Sequence, residues 1–116
     1  MNLPHQAPIR FAQRIIEKND DFYIIECSFP CIPTLSMASE AAAQSSAAFA
    51  QDKKESIIGF LISLKNNQKI AEFTKSNYQI KISKSFNFGV MTEYKFELSD
   101  ESIIYAKGEL TIALQN

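Results

Sequence analysis

Histidine occurs once in the 116 residues, as His5, so no site that needs two histidines can form within one chain. Cysteine occurs twice, at Cys27 and Cys31. Without a second Cys or His pair these do not make a zinc site, and no metal or cofactor is expected. In a reducing compartment they are not expected to form a disulfide either, and they read as buried or half-buried thiols. Neither charge sign prevails: 12 Lys and Arg against 13 Asp and Glu leave a net charge of −1. That removes the basic field expected of a nucleic-acid binder. No apolar run approaches the length of a membrane span. The opening Met1-Asn2-Leu3-Pro4-His5 lacks the basic region and apolar core of a signal peptide, so the expected location is the cytoplasm. There is no internal repeat, low-complexity tail or linker, and residues 1–116 read as a single domain.

What is present is, first, a stretch of small residues. Between Ser36 and Ala50 nearly every residue is Ala or Ser, and neither Gly nor Pro interrupts the run. Alanine is the best helix former, so the spacing predicts a helix over about Ser36 to Asp52. A helix with so little bulk lets other backbones come close, which suits a helix wrapped by a sheet. Glu40 and Gln44 break the pattern at i and i+4, sharing one face. A carboxylate and an amide on the inner helix of an apolar domain are the first candidates for chemistry. The alternative for both is a solvated helix face.

The rest of the chain reads as strands. A short helical turn is predicted around Ile9 to Ala12, then a short strand over Gln13 to Glu17. Lys18-Asn19-Asp20-Asp21 makes a polar turn, and Phe22 to Cys27 the returning strand. Ser56 to Leu64 is a near-continuous apolar run, the mark of a strand covered on both faces, and Lys65 to Ala71 reads as a loop or irregular edge. Tyr78, Ile80 and Ile82 then alternate with polar residues, as do Val90, Thr92, Tyr94, Phe96 and Leu98 after a bend at Gly89. Ile104, Ala106, Gly108, Leu110, Ile112 and Leu114 alternate through a last long strand. A hairpin, a helix and about four antiparallel strands give an α+β domain with one curved antiparallel sheet around one central helix. One helix cannot cover every sheet face, so a dimer is expected.

This layout is that of the hotdog fold, and some residues resemble a narrower group. Leu3-Pro4-His5, then Pro8, then Arg14-Ile15-Ile16 resemble the opening of the 3-hydroxyacyl-[acyl carrier protein] dehydratases. Glu40-Ala41-Ala42-Ala43-Gln44 resembles that family's E-A-x-A-Q on the central helix, and Phe29-Pro30 sits where it has H-F-P-G. The small dehydratases of aryl-polyene and related pathways look like the nearest branch. The resemblance implies loss of water from a 3-hydroxyacyl thioester at a site shared between two subunits of a homodimer. A histidine ahead of the helix takes the α-proton, a helix carboxylate protonates the departing hydroxyl, and N–H groups at the helix start hold the thioester carbonyl. It assigns the carboxylate role to Glu40, with Gln44 as its neighbour, and the carbonyl site to the N–H groups of Met37 and Ala38.

Two positions depart from the pattern. Ser28 stands in the place of the catalytic histidine and Cys31 in that of the following glycine. Serine is no base at neutral pH unaided. His5 belongs to the opening motif and reads as a packing or hydrogen-bonding residue; with Ser28 and Cys31 it completes the candidate substrate contacts. Three readings stay open: a dehydratase or isomerase of acyl thioesters; a hotdog thioesterase in which Glu40 activates water or attacks the thioester; and a non-catalytic subunit that binds an acyl chain or a carrier protein. The expected partner is an acyl carrier protein or coenzyme A thioester, and Lys53, Lys54, Lys65, Lys69 and Lys75 could meet an acidic carrier.

Overall fold

A computed structural model of the protein describes residues 10–51 and 58–115. His5, Lys53 and Lys54 lie outside the described residues. The chain runs β1 (Ala12–Lys18), β2 (Phe22–Ser28), α1 (Leu35–Gln51), β3 (Ile58–Lys69), β4 (Asn77–Phe88), β5 (Met91–Asp100) and β6 (Ile103–Gln115). The six strands form one antiparallel sheet in the order β1-β2-β4-β5-β6-β3. This is the α+β arrangement expected from the sequence, one helix against a curved antiparallel sheet.

Turn chemistry sets the hairpins. Asn19 Oδ1 accepts from the N–H groups of Asp21 (2.8 Å) and Phe22 (3.0 Å), which folds β1 back onto β2. Gly89 has φ 66° in the β4–β5 turn, where glycine takes the left-handed conformation without penalty. The β5–β6 turn asks the same of two ordinary residues, Glu101 (φ 51°) and Ser102 (φ 70°).

The core is a division of bulk. Tyr78, Ile80 and Ile82 of β4, Tyr94, Phe96 and Leu98 of β5, and Leu110 and Ile112 of β6 are buried on the inner face, and against them the helix sets Ala38, Ala41 and Ala42. Large side chains on the sheet and small ones on the helix allow close approach without voids. Two of the helix's buried hydroxyls are satisfied within the helix: Ser45 Oγ donates to the Ala41 carbonyl (2.8 Å) and Ser46 Oγ to that of Ala43 (2.7 Å).

Several local expectations change. Arg10 and Phe11 are irregular and Ala12 opens β1, so no helical turn forms there. The apolar run forms β3, which lies at the edge of the sheet and pairs with β6. Lys65 to Ala71, read as a loop or irregular edge, is the latter as far as Lys69, continuing that edge strand. It does so through a bulge: Lys65 pairs with Glu109 and Gln68 with Lys107, leaving Asn66 and Asn67 opposite Gly108 alone. Asn66 takes φ 57°, the left-handed conformation that asparagine tolerates better than other residues with a Cβ. Val90 and Ile104, read as members of alternating strands, are exposed, Val90 in the β4–β5 turn and Ile104 near the start of β6. Of the two thiols Cys27 is buried, but Cys31 is exposed in the segment ahead of the helix.

Candidate functional site

Thr34 caps α1. Its Oγ1 accepts from the Met37 N–H (3.2 Å) and its carbonyl from the Ala38 N–H (3.0 Å). The two amides expected to hold a thioester carbonyl therefore already have partners inside the first turn. The Ala38 side chain is fully buried against the sheet.

The helix positions facing the sheet are Ala38, Ala41, Ala42 and Ser45, a spacing of three and four. That register leaves Met37, Glu40 and Gln44 as a stripe along one flank, with Met37 and Gln44 half-buried and Glu40 exposed. Within the protomer the Glu40 carboxylate lies on the outer, exposed flank of the helix, where the sequence left open either a site shared with a second subunit or a solvated face. Any apolar enclosure of it has to come from a second chain.

Gln44 does more than neighbour Glu40. Its Oε1 accepts from the backbone N–H groups of Phe11 (2.8 Å) and Ala12 (3.1 Å), and its Nε2 donates to Glu40 Oε2 (3.4 Å). On the far side of the same peptide, the Phe11 carbonyl accepts from the Ser28 N–H (2.9 Å). Three segments distant in sequence thus meet at Phe11: the entry to β1, the exit of β2 and the flank of α1. The next residue, Phe29, is held by its N–H to the Ser76 carbonyl (2.8 Å), and its ring is buried 4.9 Å from that of Phe11 and 6.4 Å from that of Tyr78. The Phe11–Ala12 backbone thus links the Ser28 N–H on one side to the Gln44–Glu40 pair on the other, and the Ser28 residue is exposed at the end of β2.

Phe11 and Thr34 are site residues that the sequence motifs do not include. Phe11 acts through its backbone, for which a sequence carries no signal. Thr34 has one: a threonine just before a helical run is a favoured cap.

Burial pushes the Cys27 thiol up to about 12, with a nearby Ser45 hydroxyl opposing and the Glu26 carboxylate adding to it. A thiol that keeps its proton at neutral pH is a poor nucleophile, so Cys27 is packing material. Of the lysines offered for a carrier protein, the three among the described residues are engaged: Lys65 with Glu93 (3.0 Å), Lys69 with Glu72 (3.0 Å), and Lys75 with Asp100 and Glu101. Among the described residues no group of three His, Cys, Asp or Glu could hold a metal ion, and no helix is long and apolar enough to cross a membrane.

The helix laid across a six-stranded antiparallel sheet in this strand order is the hotdog fold. Among solved structures the chain is similar to the dehydratase heterocomplex ApeI:P from Xenorhabdus doucetiae, with a TM-score of 0.77 and 19% identity, over 98% of this chain and 88% of that one. It is also similar to a thioesterase from Haemophilus influenzae (TM-score 0.67, 12% identity, 88% of this chain and 77% of that one). A mutant thioesterase from Pseudomonas aeruginosa matches comparably (TM-score 0.67, 13% identity, 87% and 79%). No family model matches the sequence, and comparison with curated proteins finds no match.

Proposed function

We propose that the protein acts on an acyl thioester at a site completed by a second protomer, with Glu40 as the carboxylate that does the chemistry. The observation that carries this is the tether of Glu40: an exposed carboxylate beside an amide that two backbone donors lock in place. A carboxylate on a free helix surface needs no such support. The substrate reading is a 3-hydroxyacyl group on an acyl carrier protein or coenzyme A. It is supported by the E-A-A-A-Q sequence and by the likeness to a dehydratase complex that extends over nearly the whole chain.

In the elimination, a base takes the α-proton, the electron pair of that C–H bond forms the double bond, and the β-hydroxyl leaves as water with the proton of Glu40. Ser28, at the position of the usual histidine, does not supply the base unaided. That same substitution favours a second reading, hydrolysis of the thioester by water that Glu40 activates, which the thioesterase neighbours also support.

The test is an assay of wild type, Glu40→Gln and Ser28→His on 3-hydroxyacyl and on saturated acyl thioesters, with light scattering to establish the dimer. Loss of water that falls about a hundredfold or more in Glu40→Gln is the expected result. Thiol release from the saturated thioester would replace the dehydratase reading with the thioesterase. Binding of a carrier protein with neither reaction would leave a non-catalytic subunit, and a stable monomer at micromolar concentration would remove the shared site.

A further inference from the structure

The bulge in β3 delivers a side chain to the helix. Because Asn66 takes the left-handed conformation, Asn67 turns to the inner face of the sheet, opposite Gly108. Gly108 makes room for it: a Cβ there would lie 1.9 Å from Asn67 Oδ1, 2.9 Å from its Cγ and 3.0 Å from the Phe96 ring. From that position Asn67 Nδ2 donates to Ser39 Oγ (3.1 Å), and Ser39 is buried in the first turns of α1, next to Glu40. Asn67 Oδ1 is buried with no hydrogen-bond partner. A buried polar atom without a partner is costly, so an asparagine at this position needs a reason beyond filling space, which an apolar residue would do at lower cost.

The smoothness of the helix supplies that reason. Its sheet-facing positions carry alanine and serine, and side chains this small make shallow ridges that resist rotation of the helix about its axis only weakly. Rotation would swing Glu40 along its flank. Two polar pins oppose it from different strands: Gln44 to the entry of β1, and Ser39 to Asn67 of β3. We infer that Asn67 is a positioning residue, set by the β3 bulge into the space left by Gly108, which holds the first turns of α1 in the rotation that aims Glu40 at the substrate. A serine hydroxyl both donates and accepts, so the pin holds in either orientation of the amide. This inference rests on the acid role proposed for Glu40 and adds the part of the sheet that orients it.

The experiment compares steady-state kinetics on a 3-hydroxyacyl thioester, well below each variant's melting temperature, for four proteins: wild type, Asn67→Ala, Ser39→Ala, and the double variant Asn67→Ala with Gly108→Ala. In the last, the new methyl at position 108 occupies the space the asparagine vacates. Asn67→Ala is expected to lower kcat about tenfold with KM within about twofold, the signature of a misaimed group rather than a lost binding contact. Ser39→Ala should lose as much, and it decides the matter if Asn67→Ala does not fold. The double variant should regain melting temperature but not kcat. Recovery of kcat in the double variant would reduce Asn67 to packing and overturn the inference. So would an unchanged kcat in both single variants. Those results leave the role of Glu40 standing, whereas a wild type that turns nothing over overturns that role and this inference together.

Discussion

Replacing Gln44 with methionine keeps the length and volume of the side chain and removes its oxygen acceptor and its N–H donor. The oxygen holds two backbone donors, those of Phe11 and Ala12, at 2.8 and 3.1 Å. Thioether sulfur accepts hydrogen bonds only weakly, so both amides lose their partner. A buried donor left unpaired costs about 1–3 kcal/mol. These two are part-buried, so water recovers some of the loss, and about 1–3 kcal/mol for the pair is the expected destabilisation. At roughly 4 °C per kcal/mol for a chain of this size, the melting temperature should fall by about 4–12 °C. Glutamate at the same position separates the acceptor from the donor. Gln44→Glu keeps an oxygen for Phe11 and Ala12, gives up the donor to Glu40, and sets two carboxylates one helical turn apart. That repulsion is worth only about 0.2–0.5 kcal/mol on a helix surface, so the glutamate variant should melt near wild type while its activity drops with the loss of the donor. Thermal unfolding followed by circular dichroism ranks the three proteins. If Gln44→Met lies within 0.5 kcal/mol of wild type, or Gln44→Glu unfolds as easily as the methionine variant, the tie between helix and β1 does not carry the load assigned to it.

Three further outcomes follow from the packing. Folded Cys27 holds its proton to about 12, against an ordinary value of 9.0, so the unfolded chain gives it up first. Stability should therefore fall as pH rises from about 9 toward 12, and urea midpoints of Cys27→Ala across that range should lose part of the wild-type slope; equal slopes would refute the buried thiol. Ser102 has φ 70°, and Ser102→Gly should raise stability by about 0.5–1 kcal/mol in thermal unfolding, where a loss would mean the turn is not left-handed. Ala42 is fully buried against the sheet, and Ala42→Leu should cost about 1–3 kcal/mol by overpacking; a neutral result would place the helix outside the core.

Much of this architecture is written locally. The alternation of Tyr78, Ile80 and Ile82, and of Thr92 through Leu98, is the two-residue period of a half-buried strand, and those side chains are the ones the sheet buries. The alanine run reads directly as a helix of the right length, within a residue at each end, because propensity and the absence of breakers need no tertiary help. Asn19 and Gly89 mark turns for the same local reason. Other features depend on partners remote in sequence. The apolar run of β3 fits a central or an edge strand equally well, and pairing with β6, some fifty residues on, puts it at the edge. The two asparagines at 66 and 67 read as a break in the strand. Only the register against Gly108 makes them a bulge and turns Asn67 toward Ser39. Glu40 and Gln44 are legible as a pair, since i,i+4 spacing is a property of the helix alone. Which way that pair faces is not: the sheet takes the alanine stripe and leaves Glu40 on the flank, and Gln44 finds its partners in the backbone of Phe11 and Ala12, thirty-odd residues away. Periodicity is a property of the chain, but the choice of neighbour is settled by which long-range contacts bury most at least strain, and only the folded structure contains them.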